Sequence, residues 1–282
     1  MIDSIVSFIR EQVPEGGKAI IGISGGKDST IAAALCVKAL GADRVIGVMM
    51  PNKFQDDIED SKKVCEILGI TPLTINIGAA NTVLLEWIAG SLTFEPHNKK
   101  IPEALTEVIN NPMIKTNLPA RLRMATLYAV AALYPNSRVV NTCNYSEDYV
   151  GYSTKYGDAA GDFSPLGNLT VREVLKIGDK LGLPHHLVHK APSDGMCGKT
   201  DEDNLGFTYA ELDDYLLNGH ACQTSPEIIS KIEKLHKATC HKYQPIPTYI
   251  PKGEIDEAPC EDFDFNLLPF TYLKDFKQGE EE

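Results

Sequence analysis

One short stretch combines the residue types that bind a polyphosphate and a metal ion. The run S-G-G-K-D-S, residues 24–29, follows an apolar segment, residues 19–23, and leads into a helix-like segment, residues 28–40. Two glycines let backbone N–H groups approach an anion, and a helix N-terminus adds partial positive charge. Lys27 adds a full charge. Because Asp28 would repel a bare phosphate, its presence predicts a divalent cation between the carboxylate and the phosphates.

Three other interpretations of this stretch fit it less well. The Walker A motif needs four residues between its glycines, but three separate Gly22 from Gly26, and Asp28 stands where Ser or Thr belongs. The pattern G-x-S-x-G of a serine-hydrolase elbow is present around Ser24. That fold needs strands and an oxyanion loop upstream, and only 23 residues precede Ser24. A purely structural strand-to-helix turn is the third alternative.

The elements around the stretch predict a parallel sheet. Short, nearly all-apolar strands alternate with helices, as in sheets that helices cover on both faces. Ligands of such sheets bind at the carboxyl ends of the strands, so the glycine-rich loop and the end of the fourth strand should converge. The predicted strands are 19–23, 44–50, 71–77 and 137–142; the predicted helices are 2–13, 28–40, 56–68, 82–88, one with Asn117 as its N-cap, 170–181, 209–217 and 225–240.

The fourth predicted strand ends in polar residues, where the site should lie. Glu147 is the natural second carboxylate for a metal held by Asp28, although acids are also favoured at helix N-termini without any ligand. A Gly-rich loop follows at 151–162, and loops of this length are functional or disordered. Upstream, Arg121 lies near a predicted helix start, where surface salt bridges are the alternative explanation.

Composition limits the classes of function. The 282 residues carry a net charge of −12, which argues against a broad nucleic-acid surface. No apolar run reaches the ~18 residues of a membrane helix, and no signal peptide is evident. Seven cysteines without a C-x-x-C pair indicate a reducing, cytoplasmic environment and argue against zinc. We expect one domain, 1–282, with an N-terminal helix within 1–17 and a C-terminal strap, 243–282.

The downstream motifs indicate a family. The order SGGKDST, NLPARLRMATLY, NTCNYSE, GYSTKYGDAAGD, PSD, DEDNLGFTYAELDDYL and HK resembles the ammonia-dependent NAD synthetases of the ATP pyrophosphatase superfamily, from residue 18 to about residue 247. The resemblance implies a three-layer α/β fold of Rossmann-like type, with a five-stranded parallel sheet between helices. It also implies a homodimer with the dinucleotide near the subunit interface.

The implied reaction is the ATP-dependent amidation of deamido-NAD by ammonia through an acyl-adenylate, with Mg²⁺ as cofactor. The resemblance carries over these roles: ATP binding by Gly22, Ile23, Ser24, Gly25, Gly26, Lys27, Asp28, Ser29, Thr142, Val171 and Ser193; deamido-NAD binding by Arg121, Lys155, Asp162, His241 and Lys242; Mg²⁺ binding by Asp28 and Glu147. Asp162 is also a candidate for handling ammonia. No side chain is assigned as a nucleophile.

The chain departs from the family pattern in three places. The family has a phosphate-binding lysine at the position of Val171, for which Arg172 or Lys190 could substitute. Residues 157–160 read G-D-A-A instead of G-D-G-G, and residues 141–142 read N-T instead of G-T. These departures affect contacts to the phosphates more than the metal carboxylates.

Several alternatives stay open at this point. The same chemistry could act on nicotinate mononucleotide. A tRNA-thiolating or lysidine-forming ligase shares the loop, but the acidic composition argues against it. A nucleotide sensor without turnover would not need the pair Asp28 and Glu147. The length leaves no room for a glutamine amidohydrolase domain, so we expect free ammonia, or ammonia delivered by a separate protein.

Overall fold

Four parallel strands form the sheet. The structure is a computed structural model that describes residues 1–54, 58–94, 97, 99–190 and 200–249. The strands are β1 (Ala19–Gly22), β2 (Val45–Met49), β3 (Thr71–Thr74) and β4 (Arg138–Val140), in the spatial order β3-β2-β1-β4. Ala19 lies opposite Val45 on one side and Arg138 on the other. The prediction of five strands was wrong, because the described part of the chain has four.

A single parallel bridge between Val140 and Phe163 takes the place of a fifth strand. The Asp162 N–H donates to the Val139 carbonyl at 2.8 Å, and the Asn141 N–H donates to the Phe163 carbonyl at 2.9 Å. Pro165 comes two residues later and has no N–H with which to continue the ladder. The apolar segment after the loop at residues 151–162 therefore touches the sheet without extending it.

Helices connect the strands and complete the described chain. They are α1 (Ile2–Gln12), α2 (Lys27–Leu40), α3 (Ile58–Leu68), α4 (Gly78–Ser91), α5 (Ile101–Asn110), α6 (Pro112–Ala131), α7 (Tyr145–Tyr149), α8 (Val171–Lys180), α9 (His185–Val188), α10 (Asp201–Leu205), α11 (Tyr209–Asn218) and α12 (Pro226–Thr239), with short 3-10 turns at Ala42–Arg44, Gly219–Ala221 and Cys240–Lys242. None of the described helices combines the length and the apolar character needed to cross a membrane.

Helices cover both faces of the sheet, as predicted. Ile21 of β1 packs in one core with α1, α2, α8 and α9. Its neighbour Ile20 points to the opposite face, where it packs with Ile46 of β2 and Val130 of α6. This alternation follows from the two-residue period of a strand. The layers leave the carboxyl ends of β1, β2 and β4 at one edge of the sheet.

The start of α6 differs from the prediction. Asn111, and not Asn117, is the N-cap: its Oδ1 accepts the N–H groups of Met113 at 3.0 Å and Ile114 at 3.1 Å. Asn117 lies inside the helix, and so does Pro119, which is buried. Pro119 was expected in the first turn, where a missing N–H costs nothing, but it lies in the interior of the helix, where a proline removes one backbone hydrogen bond.

The chain divides into two units. Met1–Gln244 is the first, and it contains every element named above. The second begins at Pro245, and the structure describes only its residues 245–249. The single-domain organisation and the C-terminal strap, 243–282, stay predictions.

Candidate functional site

The glycine-rich loop joins β1 directly to the N-terminus of α2. Gly26 is the N-cap of α2 and has no side chain that could cap the first N–H groups. Gly25 adopts a φ of +79°, and a Cβ there would lie 2.9 Å from Cβ of Asp60. Ser24 Oγ accepts the Gly26 N–H at 3.2 Å and lies 3.0 Å from Ser29 Oγ. The loop is thus pre-formed around a helix N-terminus, the usual backbone geometry for binding phosphate.

Asp28 and Glu147 converge on one ammonium group. Lys27 Nζ lies 2.7 Å from Asp28 Oδ2 and 3.4 Å from Glu147 Oε1, although 120 positions separate Lys27 from Glu147 in the sequence. The Lys27 side chain is only 6% exposed, and the two acids are 17% and 15% exposed. The two predicted acids therefore lie at one point, next to the glycine-rich loop.

Asn144 joins the two acidic residues from a third position. Its Nδ2 donates to Asp28 Oδ1 at 3.0 Å, and its Oδ1 accepts the Glu147 N–H at 3.0 Å as the N-cap of α7. The residue is fully buried. A single amide thereby fixes the orientation of the Asp28 carboxylate and the start of the helix that carries Glu147.

Negative charge dominates this part of the molecule. Burial raises the pKa of Glu147, and Asp28 and Asp201 raise it further, while Lys27 acts in the opposite direction. The Tyr209 hydroxyl is buried without a hydrogen-bond partner among the described residues. Burial raises its pKa, and Glu147, Asp201 and Asp28 add to the shift. Three acids against one lysine give a site that favours a cation.

The donor set fits Mg²⁺. The Asp28 and Glu147 carboxylates supply oxygen ligands, which Mg²⁺ prefers, and Mg²⁺ is commonly held by one or two carboxylates together with substrate phosphates. The unpartnered Tyr209 hydroxyl is an additional polar group for the shell around such an ion. Within the described ranges, no group of three or more His, Cys, Asp and Glu side chains has metal-binding geometry. The pair fits an ion shared with a nucleotide better than an ion held by the protein alone.

The residues predicted to hold deamido-NAD form a second group around the loop at residues 151–162. The Arg121 Nε donates to the Lys155 carbonyl at 3.3 Å, and Lys155 Nζ donates to the His241 carbonyl at 2.7 Å. Lys242 Nζ donates to the carbonyls of Gly151 and Ser153. Four of the five predicted residues thus lie together, although 120 positions separate Arg121 from His241 in the sequence.

Asp162 and Thr142 lie along β4. Asp162 Oδ2 accepts the Val139 N–H at 2.7 Å, and its Oδ1 accepts the Tyr128 hydroxyl at 3.2 Å. The Asp162 carboxylate therefore anchors the loop at residues 151–162 to the sheet in this structure. Thr142 comes two residues after Val140, which lies opposite Ile21 of β1. Thr142 is consequently level with the start of the glycine-rich loop.

The position of the family lysine holds a buried apolar side chain. Val171 is 7% exposed and packs with Phe207, Leu212 and Ile232, so it offers no charge to a phosphate. Lys190 Nζ lies 2.5 Å from Asp60 Oδ2, and Asp60 packs against Gly25 of the loop. Arg172 has an exposed side chain at the start of α8, where its N–H donates to Asp213. Ser193 lies outside the described residues.

Sequence reasoning missed Asn144, Asp201, Tyr209 and Asp213. The Ser146 hydroxyl donates to Asp213, whose other carboxylate oxygen accepts the Arg172 N–H at 2.7 Å. This acid therefore ties α7, which carries Glu147, to α8. The four residues lie in the runs NTCNYSE and DEDNLGFTYAELDDYL, which supported the resemblance, but none of the four was assigned a role of its own.

Comparisons with known proteins identify the family of the chain. The sequence profile of the NAD synthase family matches residues 1–246. The chain is 40% identical to the NH(3)-dependent NAD(+) synthetase of Thermococcus kodakarensis over 76% of this chain and 78% of the relative. It is similar to the structure of NMN synthetase from Francisella tularensis, with a TM-score of 0.74 and 35% identity over 88% of this chain and 96% of that one. It is also similar to the NH3-dependent NAD synthetase from Campylobacter jejuni, with a TM-score of 0.64 and 26% identity over 89% and 97%. The chain belongs to the NAD synthase family.

Proposed function

We propose that the chain catalyses the ATP-dependent amidation of deamido-NAD by ammonia, giving NAD, AMP and pyrophosphate. The observation that carries this proposal is the convergence of Asp28 and Glu147 on Lys27 Nζ beside a glycine-rich helix N-terminus. A nucleotide sensor needs a loop for phosphate but no paired acids beside it. The loop and the acid pair together suit cleavage of ATP between its α and β phosphates.

The chemistry requires activation of a carboxylate. The nicotinate carboxylate attacks the α phosphate, pyrophosphate leaves, and ammonia then displaces AMP from the acyl-adenylate. The N–H groups at the start of α2 receive the departing pyrophosphate. Asp28 and Glu147 would hold Mg²⁺, which offsets phosphate charge when it is bound. Positioning and electrostatics suffice for this reaction, so no protein nucleophile is assigned.

The second group of residues positions the acceptor. Arg121, Lys155 and the pair His241 and Lys242 would bind deamido-NAD, and Asp162 would contact it or ammonium. Asn141 Nδ2 donates to the carbonyls of Asp158 and Ala160, and these bonds hold the loop at residues 151–162 at the end of β4. We propose that this loop excludes water, which would otherwise hydrolyse the acyl-adenylate.

Lys190 is the better substitute for the family lysine. Its contact with Asp60 places its ammonium next to the helix that packs on Gly25, whereas the Arg172 side chain is exposed at the start of α8. We propose that Lys190 contacts the ATP phosphates, with Thr142 and Ser193 as further ATP contacts. The site would then keep the positive charge that Val171 lacks.

We further propose a cytoplasmic homodimer. The five cysteines described as free fit a reducing compartment. Large apolar side chains are exposed on α4, among them Trp87 at 75% and Val83 at 49%, and contiguous exposed apolar surface marks interaction sites. Trp87→Glu should halve the mass measured by light scattering. An unchanged mass would place the interface elsewhere or exclude the dimer.

The acceptor could also be the mononucleotide. The Francisella tularensis structure with a TM-score of 0.74 is that of an NMN synthetase, whereas the relative that is 40% identical is an NAD synthetase. We keep deamido-NAD as the proposed substrate because it matches the relative of higher identity. Both acceptors belong in the same assay.

The test is to incubate the protein with ATP, Mg²⁺, ammonium and either deamido-NAD or nicotinate mononucleotide, and to quantify AMP and the amide product. Asp28→Asn should lower AMP formation by at least about 10²-fold. Asp3→Asn, the same change at an exposed position of α1, is the matched control and should leave the rate unchanged. Full activity of Asp28→Asn would refute the metal assignment, and amidation with glutamine in place of ammonium would refute the nitrogen source.

A further inference from the structure

The ammonium of the lysine in the loop at residues 24–29 contacts two carboxylates. Lys27 is the first residue of α2, and its Nζ lies against Asp28 and Glu147. Its side chain is almost as buried as the apolar core. From sequence we expected Lys27 to add charge for a phosphate. In the structure its charge is used to neutralise the two acids that fit Mg²⁺.

We propose that Lys27 is a tethered cation that occupies the metal position between Asp28 and Glu147 and leaves it when Mg²⁺ binds. The inference rests on the proposed function for the identity of the metal. It assigns Lys27 a role distinct from phosphate binding alone, since the residue controls access of the metal to its ligands.

The charges around Lys27 support this role. Asp28 and Glu147 each have a carboxylate oxygen within 3.4 Å of the ammonium, and the charge of Asp201 acts on Glu147 as well. Burial lowers the pKa of Lys27, but the two contacting acids outweigh that effect and leave its pKa raised. The side chain is therefore charged under ordinary conditions. Without this charge, the acid pair would be partly buried and uncompensated.

An ammonium and a divalent cation compete for the same carboxylate oxygens, because like charges repel at that separation. Binding of Mg²⁺ between the two acids therefore favours movement of Lys27 away from them. The four-carbon stem of lysine is flexible, and the phosphates bound at the N-terminus of α2 would supply a new partner for its charge. If the conformation in which the Lys27 side chain has left the two acids is populated to about 10% or less, the apparent affinity for the metal is reduced about tenfold or more.

The first experiment measures metal binding without turnover. Mn²⁺, which accepts the same hard oxygen ligands, is titrated into the full chain in the absence of nucleotide and followed by EPR. Lys27→Met should lower the Kd for Mn²⁺ by at least about tenfold relative to the wild type. Lys62→Met removes the same charge from an exposed position of α3 and should leave the Kd unchanged. Adding Asp28→Asn to Lys27→Met should abolish the gain.

A second experiment uses the unaltered chain, because Lys27→Met leaves a partly buried acid pair and could fail to fold. Lysine acetylation by acetic anhydride is quantified by mass spectrometry with and without saturating Mg²⁺, in the absence of nucleotide. Lys27 should be protected without the metal and should react several-fold faster with it. Lys62, exposed in either state, provides the reference rate.

Each outcome decides the proposal. An unchanged or higher Kd in folded Lys27→Met overturns it, and so does an Mn²⁺ affinity too weak to measure in both proteins. Equal acetylation of Lys27 with and without Mg²⁺ overturns it as well. Failure of the proposed function is separate: it would appear as a wild-type chain that forms no AMP and no amide, whatever the metal titration gives.

Discussion

Asn144 offers the sharpest test of how the acid pair is built, because one side chain contacts both acidic residues. Its amide nitrogen donates to Asp28 Oδ1 and its amide oxygen accepts the N–H of Glu147. Asn144→Asp preserves the shape of the side chain and keeps an N-cap of similar quality. The substitution mainly replaces the donor that faces Asp28 by a second carboxylate.

The magnitude follows from the 3.0 Å contact. Two unit charges about 4 Å apart repel by about 4 kcal/mol at an effective dielectric constant of ~20. Protonation of the new carboxyl sets a similar upper limit, since raising the pKa of an aspartic acid from about 3.9 to about 7 costs about 1.4 kcal/mol for each unit, or about 4 kcal/mol. We expect Asn144→Asp to lower the free energy of unfolding by about 3–4 kcal/mol without Mg²⁺. Asn144→Ala loses the cap and the hydrogen bond to a charged group, about 2–4 kcal/mol together.

The two variants should differ in their response to Mg²⁺. The metal offsets the added charge, so it should recover a larger part of the stability of Asn144→Asp than of Asn144→Ala. Urea denaturation followed by circular dichroism, in EDTA and in Mg²⁺, measures both effects. Asn111→Asp is the matched control, since it makes the same change at the exposed N-cap of α6 and should alter stability by less than about 0.5 kcal/mol. Wild-type stability of Asn144→Asp in EDTA would refute the contact between Asn144 and Asp28.

Three further substitutions test the supports of the site. Gly25 adopts a φ of +79°, and the Cβ of Gly25→Ala would lie 2.9 Å from Asp60 Cβ. This variant should lose at least about 1–2 kcal/mol of the free energy of unfolding and should have a raised KM for ATP. A normal KM in a steady-state assay would contradict the tight packing of the loop. Gly151→Ala places a Cβ 2.2 Å from Cβ of Thr239, so it should destabilise the chain by at least about 2 kcal/mol in urea, and Thr239→Gly in the same chain should recover part of the loss. Asp213→Asn weakens the bonds that join α7 to α8, so stability should fall by about 1–3 kcal/mol, and kcat should fall with it because Ser146 adjoins Glu147; unchanged values of both would show that the tie is not needed.

Local chemistry made much of the fold predictable. The strand β1 and the helix α2 follow from an apolar run and a glycine pair, and the capping boxes at Thr170 and Thr208 mark the starts of α8 and α11. These signals lie within a few residues of the structure that they specify. The helices on both faces of the sheet followed from the nearly all-apolar strands, because such strands must be buried on both sides.

Non-local contacts limited the rest. The direction of the Lys27 side chain depends on Glu147, 120 positions away, and no local pattern encodes that contact. Pro119 was expected to mark the first turn of a helix, but its ring is buried in the interior of α6. The fifth strand was expected from the family, yet Pro165 and the Asp162 carboxylate leave one bridge in its place. In each case a partner distant in sequence, or a single residue type, decided the outcome.

Both lateral borders of the sheet discourage growth by strand addition from another molecule. On the β3 side, the N–H groups of Ile75 and Ile77 point inward and donate to the carbonyls of Met49 and Pro51. Because backbone N–H directions alternate along a strand, the nitrogen of Pro72 points outward, where it offers no hydrogen bond. On the β4 side, the Asp162 carboxylate already accepts the Val139 N–H. Fibril-like stacking of molecules through their sheets is thereby disfavoured.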